Sequence, residues 1–185
     1  GTTVSRIADH TNQCRITLGG NVCGTIIYRE AVLPLLLADA TVCLWSQGEL
    51  QEMPIEQAFR ERLQRQVDEF VVRFSIPQAM TNLPYVHVKR TRGEKIDYPL
   101  CTITAIKAPD GIRLAFSGVY GYPFRNRMLE KIASDSAVPS LVRADRIVQE
   151  LRGPVLSDLV ARADYRLLVL REALRQTLER LEGKQ

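Results

Sequence analysis

The 185-residue sequence predicts an α+β protein, and three observations carry that prediction. Two strand-like segments, Leu100 to Ala108 and Ile112 to Val119, are joined by Ala108-Pro109-Asp110-Gly111. Proline presets φ there and glycine accepts a positive φ, so the two segments form an antiparallel hairpin. Toward the end, Leu156, Leu159, Val160, Ala163, Leu167, Leu170, Leu174, Leu178 and Leu181 recur at steps of mostly three and four, with Arg and Glu between them. That is an amphipathic helix or helix pair packing on a sheet or on sibling helices. A coiled coil is the rival reading, but the pattern barely reaches three or four heptads. Ahead of both lies a helix–strand–helix unit. Segregated runs of this kind give two subdomains, divided between about Gln66 and Ala79.

The elements follow in order. Val4, Ile7 and Ala8 have helical spacing, so residues 1–14 read as the tail of a helix. Arg15-Ile16-Thr17-Leu18 is extended and runs into a tight turn at Gly19-Gly20-Asn21. Glu30 to Ala40 suits a short helix with Pro34 in its first turn. Ala40 to Trp45 is β-rich, Gln47-Gly48-Glu49 is a turn, and Pro54 to Arg65 reads as a polar helix with Ile55, Ala58, Phe59 and Leu63 on one side. Val67 to Ile76, bounded by Pro77, and Tyr85 to Val88 are strands, and after Pro123 the chain becomes helical.

Hydrophobic residues make up 45% and charged residues 25%, which excludes global disorder and low complexity. The net charge of +4 is too small to imply a polyanion, but it is unevenly spread. Residues 85–131 hold 9 basic and 4 acidic side chains, against 7 and 9 before them and 9 and 8 after. A basic middle segment suggests a local anionic partner such as a phosphate. A nucleic-acid-binding domain would rest on that segment alone: Tyr85 and Tyr98 could stack bases, yet no stacking motif is recognisable, so no nucleic acid is expected. Cysteines 14, 23, 43 and 101 form no Cys-x-x-Cys pair, so zinc ribbons and redox dithiols are unsupported. Their apolar neighbours read as reduced, mostly buried thiols of a cytosolic protein. The longest uncharged apolar run, Ala31 to Ala38, is far short of a membrane span, and no basic-then-apolar leader opens the sequence. The expectation is a soluble, cytoplasmic protein without a membrane partner.

Few residues carry chemistry. In Thr17-Leu18-Gly19-Gly20-Asn21, two glycines let the backbone turn with positive φ and approach a ligand, while Thr17 and Asn21 add a hydroxyl and an amide. Such a loop suits a pyrophosphate, or it is an ordinary turn; it is neither a Walker loop nor a Gly-x-Gly-x-x-Gly fingerprint. Lys89-Arg90-Thr91-Arg92, with Lys95 nearby, either protects a strand edge or brings a point charge, Lys89, to a ligand phosphate. His10 and His87 have no nucleophile or ligand partner at a telling spacing and read as surface or boundary residues. No serine sits in a Gly-x-Ser-x-Gly elbow, so the catalytic and metal-ligating residue sets are both empty. Any catalysis belongs to a bound cofactor.

Taken together, Thr17-Leu18-Gly19-Gly20-Asn21, then Glu30, then Leu35-Leu36-Leu37-Ala38-Asp39-Ala40, resemble the FAD-binding subunit of the molybdenum hydroxylases, the xanthine dehydrogenase and carbon monoxide dehydrogenase enzymes. The resemblance continues through Phe74-Ser75-Ile76-Pro77, Lys89, Asp97 and Ser117-Gly118-Val119-Tyr120-Gly121-Tyr122-Pro123 to Ala163-Asp164-Tyr165-Arg166. Any one motif is weak; the ordered set is strong. It implies that residues 1–77 are the second lobe of an FAD-binding domain and 78–185 a domain like the C-terminal domain of carbon monoxide dehydrogenase flavoproteins, an antiparallel sheet plus helices. It implies that Thr17, Leu18, Gly19, Gly20 and Asn21 form the second FAD loop. Glu30 falls where an aspartate contacts the flavin nucleotide, Val72 where an apolar residue lies against the flavin, and Lys89 near the isoalloxazine, where a cation would stabilise the reduced ring.

There are departures. Gln13 stands where an arginine is common, and Gly93-Glu94 replaces an arginine pair. The family's first lobe of about a hundred residues, with its own glycine-rich FAD loop, is missing, and the sequence opens with Gly1. A fragment holding half of the flavin cleft, with weak or absent FAD binding and no activity alone, is therefore expected. The implied function is an oxidoreductase subunit, xanthine dehydrogenase-like, that relays electrons from iron–sulfur clusters through FAD to NAD or another acceptor. Molybdopterin and [2Fe–2S] clusters would sit only in partners, a large and a small subunit. The alternative is a non-enzymatic interaction module that keeps the fold without flavin.

Overall fold

Residues 3–93 and 96–183, which the computed structural model describes, form two main antiparallel sheets and a set of helices around them. Lys95 and Glu94, named above, lie outside the described residues. The expected N-terminal helix is instead a 3-10 turn at Val4–Arg6 and a single turn, α1 (His10–Gln13). Ala8 takes φ +55°, which breaks the helix, and the Asp9 carboxylate then accepts the Asn12 N–H at 2.8 Å to start α1.

The Gly-Gly segment also departs from expectation. It is not an extended stretch ending in a turn but the first turns of a helix, α2 (Leu18–Cys23). Thr17 Oγ1 accepts the Gly20 N–H at 2.9 Å, and neither Gly19 nor Gly20 has a positive φ. The hydroxyl cap and burial of Val22 outweigh the poor helix propensity of two glycines. The proline-bearing helix is α3 (Val32–Leu37). It ends with Asp39 at φ +49°, the Ala40 N–H reaching the Leu35 carbonyl at 3.0 Å and the Asp39 N–H that of Leu36 at 3.4 Å.

β1 (Thr41–Ser46) lies between β2 (Glu49–Pro54) and β5 (Phe70–Ser75), both antiparallel to it. The β1–β2 turn uses Gln47 at φ +49° and Gly48 at φ +88°. The polar helix expected over residues 54–65 shrinks to α4 (Ile55–Ala58), followed by a minimal hairpin of β3 (Phe59–Arg60) and β4 (Arg62–Leu63). Glu61 reverses the chain at φ +62°; Ile55, Ala58, Phe59 and Leu63 still reach the core, so the apolar pattern is met by a turn and a ladder rather than one helix face.

The second sheet has the order β6 (Tyr85–Thr91), β7 (Pro99–Ala108), β8 (Gly111–Ser117) and β9 (Phe124–Arg125). The expected hairpin is present, Ala108 pairing with Gly111 at φ +129°. Helices α5 (Arg127–Ser134), α6 (Ser140–Gln149) and α7 (Ala163–Leu181) follow. Leu156, Leu159 and Val160 precede α7 outside any helix, and Leu159 is fully exposed. α7 packs on α6, β6 and β7, an arrangement other than a coiled coil.

Alternate residues of β7 and β8 serve opposite faces. Cys101, Ile103, Ala105, Leu114 and Phe116 meet Leu129, Ile147, Leu170 and Leu174 of the helices. Ile106, Ala108 and Ala115 meet α3 and β1 through Leu33, Leu36 and Val42. Arg113 and Arg125 clip the end of α3 to this second face, donating to the carbonyls of Leu37 (2.8 Å) and Leu36 (2.6 Å) and to Asp39 (2.6 and 2.7 Å). Burial raises the Asp39 carboxyl, but Arg125 and Arg113 outweigh it and hold it below its ordinary value. The four cysteines are free; Cys43 and Cys101 are buried, Cys23 is partly so and Cys14 is exposed. Among the described residues no helix is long and apolar enough to cross a membrane.

Candidate functional site

The β6–β7 register builds the floor of the site. Lys89 stands opposite Thr102, so both side chains leave the sheet on the face turned toward the N-terminal unit. There they meet Glu30, carried in on the loop before α3. Lys89 Nζ donates to Glu30 Oε2 at 2.8 Å and to the Arg6 carbonyl at 3.1 Å, and the Thr102 hydroxyl donates to the other carboxylate oxygen. The two charged side chains are 4% and 3% exposed. A buried ion pair survives desolvation when most of its donors and acceptors are matched; here both carboxylate oxygens and two of the three ammonium N–H groups have partners, leaving one N–H over.

Above this floor opens a cavity of about 700 Å³, bounded by α1, α2, the loop before α3, β6 and residues 96–99. Thr17, Gly20, Asn21, Glu30 and Lys89 line it together. Leu18 belongs instead to a neighbouring cavity of about 420 Å³, shared with Thr17 and Asn21. Gly19 lines neither, and a Cβ placed on it would meet nothing within 4 Å. Val72 sits unpaired in a bulge of β5 opposite Cys43 and Leu44, away from both cavities.

Each wall has a local cause. At Gly20 a Cβ would stand 2.9 Å from the Thr17 hydroxyl that caps α2, so a larger residue there would make the cap shift. The Asn21 side-chain oxygen accepts the Ala31 N–H at 3.2 Å, tying α2 to the Glu30 loop. Gln13 donates from its amide to the carbonyls of Ser5 (3.1 Å), Ile7 (2.9 Å) and Ala8 (3.2 Å), holding the wall that the Arg6 carbonyl belongs to. At the mouth, Tyr28 and Tyr98 stack at 5.0 Å between ring centroids. Burial is the main reason the Tyr28 hydroxyl is pushed up, with Asp158 adding to it against Arg166.

Some of this arrangement escaped the sequence reading. Lys89 was expected as a lone point charge; with Glu30 it forms a neutral pair joined across 59 positions, a separation at which no spacing rule operates. Tyr28 carried no motif. Arg166, within the Ala163–Arg166 motif, proves to be a buried anchor: it donates to the carbonyls of Pro99, Leu100 and Gly118 at 3.2, 3.0 and 3.3 Å and to both Asp158 oxygens at 2.8 Å. It thereby fixes the start of β7, where Pro99 closes the cavity. The signal available was an arginine on the apolar side of the last helix. Among the described residues no three His, Cys, Asp or Glu side chains gather as metal ligands.

Residues 1–79 match the family described as FAD binding domain in molybdopterin dehydrogenase. Comparison with curated protein sequences gives no match. Among solved structures, quinoline 2-oxidoreductase from Pseudomonas putida 86 superimposes with a TM-score of 0.83 at 18% identity, covering 99% of this chain and 66% of that one. Carbon monoxide dehydrogenase from Hydrogenophaga pseudoflava, in a form lacking the Mo-pyranopterin moiety, gives 0.83 at 17% identity over 97% and 65%. Reconstituted CO dehydrogenase from Oligotropha carboxidovorans gives 0.77 at 19% identity over 99% and 66%. The chain thus spans just under two thirds of the solved chains it matches. Residues 1–79 are thus similar to the FAD-binding domain of molybdopterin dehydrogenases, and over nearly its whole length the chain shares the fold of the matched quinoline 2-oxidoreductase and carbon monoxide dehydrogenase chains.

Proposed function

We propose that the 700 Å³ cavity is the part of an FAD site that this chain contributes to an oxidoreductase subunit, with residues 1–77 as the second FAD lobe and 78–185 as the flavoprotein C-terminal domain. One observation carries the reading: Thr17, Gly20, Asn21, Glu30 and Lys89, distant in sequence, converge on a single cavity within residues and folds that match FAD-binding proteins. The donor set suits the cofactor. A hydroxyl, a carboxylate and an ammonium offer partners to ribose, phosphate or ring oxygens, the stacked tyrosines offer a flat wall, and the volume lies in the range of about 300–1,000 Å³ usual for ligand sites.

In this chain Thr17 holds the first turn of α2, Glu30 fixes the Lys89 ammonium, and Gln13 holds the wall against which both close. FAD bound there would supply the redox chemistry, passing electrons from a partner's [2Fe–2S] clusters to NAD or another acceptor after substrate oxidation at a molybdopterin-bearing large subunit. Leu18, Gly19 and Val72 remain part of the proposal: Leu18 and Val72 are exposed apolar side chains and Gly19 leaves backbone uncovered, three surfaces that a cofactor or a further lobe would meet. A cytoplasmic location belongs to the same reading. The interaction-module alternative would keep the Lys89–Glu30 pair but take up no flavin.

The test is visible absorbance of this chain and of the full-length gene product, each titrated with FAD. A yellow full-length protein beside a chain that binds FAD weakly supports the reading. Uptake by neither form overturns the redox function in favour of the interaction module.

A further inference from the structure

The β3–β4 hairpin poses an electrostatic problem. Arg60 and Arg62 stand directly opposite each other in its two-residue ladder, which places like charges on one side of the hairpin. Neither forms an ion pair among the described residues. Beneath them Arg29, 97% removed from solvent by its 3% exposure, stacks its guanidinium 5.3 Å from the centre of the Phe59 ring. Arg29 donates to the carbonyls of Gly24 (3.2 Å) and Glu61 (2.6 Å); among the described residues it has no carboxylate partner, and its buried Nε has no hydrogen-bond acceptor. Burial and then the charge of Arg62 hold this guanidinium below the usual arginine range.

All three arginines line one cavity of about 340 Å³, completed by Thr25, Glu61, Gly121 and Tyr122. It shares no lining residue with the proposed flavin cavity. Glu61 is the single carboxylate there; it forms no ion pair with any of the arginines and pushes the Tyr122 hydroxyl up, after burial, so the lining keeps an excess of two positive charges. A guanidinium buried with an unused donor, beside two more that repel each other, lacks an anion.

We propose that this cavity binds a small oxyanion of the phosphate class, held by Arg29, Arg60 and Arg62. The volume is at the small end of ligand sites, suited to a single phosphate group with its waters. Because Gly121 and Tyr122 come from the second half of the chain and the arginines from the first, a bound anion joins the two halves.

The experiment is thermal unfolding of the whole chain at fixed pH and ionic strength as sodium chloride is replaced by sodium phosphate. The midpoint should rise and saturate with phosphate. R60Q/R62Q, whose side chains are exposed, should have a midpoint in chloride no lower than the parent's, since the repulsion is relieved, and bind phosphate at least about tenfold more weakly, the scale of one charge-assisted hydrogen bond. AMP in place of phosphate separates two sources of the same chemistry: tighter saturation assigns a nucleotide phosphate, equal or weaker saturation free phosphate. Three results overturn the proposal: no saturable shift, an undiminished shift in R60Q/R62Q, or a shift abolished by T17A, which would place the anion at the flavin cavity instead.

Discussion

The two faces of the four-stranded sheet are made by alternate residues of the same strands, yet they are different materials. The face under α5, α6 and α7 is dry as far as the sheet's own residues go, Ile103, Ala105, Leu114 and Phe116 closing on helical leucines, and the charges buried there, Arg143 and Arg166, belong to the helices. The face toward the N-terminal unit buries Lys89, Thr102, Thr104 and Arg113, and charged groups hold its two halves together. Apolar packing is tolerant of neighbours and needs only volume; buried charge must be matched atom for atom. The face that serves the site is the one that gave up packing freedom for placement of an ammonium, a carboxylate and a hydroxyl.

The sharpest way to break this comparison is to remove one charge. Lys89→Met leaves Glu30 buried without its partner and should lower stability by about 3–5 kcal/mol in urea unfolding. Adding Glu30→Leu to that variant should restore much of the loss, because an apolar pair of similar volume needs no partner. On the dry face Leu114→Ala should cost about 2–5 kcal/mol by leaving a cavity, and a second truncation there should deepen the loss. If Lys89→Met is nearly silent, the ammonium and carboxylate are solvated and the contrast between the faces fails.

A smaller effect lies at the rim where the faces meet. Gly118 has φ +75°, and a Cβ on it would stand 3.0 Å from the Pro99 carbonyl, one of the oxygens that Arg166 gathers. Gly118→Ala should therefore cost about 2 kcal/mol, most of it the left-handed backbone penalty. It should also loosen the Pro99 end of the cavity, read as faster amide hydrogen exchange at the start of β7. Unchanged exchange there would mean that Arg166 does not depend on the Gly118 turn.

What was legible in the sequence follows the same division. The dry face wrote itself into local pattern: the Pro109-Asp110-Gly111 turn, the leucine spacing of α7 and the apolar runs of β7 and β8 all came through. So did α3 with its early Pro34, because its signal is also local. The α2 segment misled because Gly-Gly reads as a turn unless the Thr17 hydroxyl is weighed as a helix cap. The helix over 54–65 misled because helix-spaced Ile55, Ala58 and Leu63 reach the same core through a reversal at Glu61. At the site, individual residues were found but their pairing was not. Glu30 and Lys89 are brought together by the β6–β7 register and the α3 entry loop, which no short-range pattern encodes.

The mildest probe leaves neutral-pH stability untouched and distinguishes the faces by pH alone. His87, on the same face as Lys89, bonds through Nδ1 to the Thr104 hydroxyl at 3.1 Å, while its Nε2 is buried without a partner among the described residues. Burial, then the charges of Arg6 and Lys89, push it down from 6.5 to about 4. The unfolded chain therefore takes up a proton that the folded chain refuses between about 6.5 and about 4, so stability is complete above that window and declines as pH falls through it. Asp39, held low by its arginines, adds a further decline only as pH falls below its ordinary value of 3.8. His87→Gln should flatten the upper decline and leave the lower one, whereas Leu114→Ala should shift the whole curve down without changing its shape. A His87→Gln curve that keeps its upper slope would show that a group other than His87 takes up that proton on unfolding, and the reading of the polar face as shielding His87 would fail.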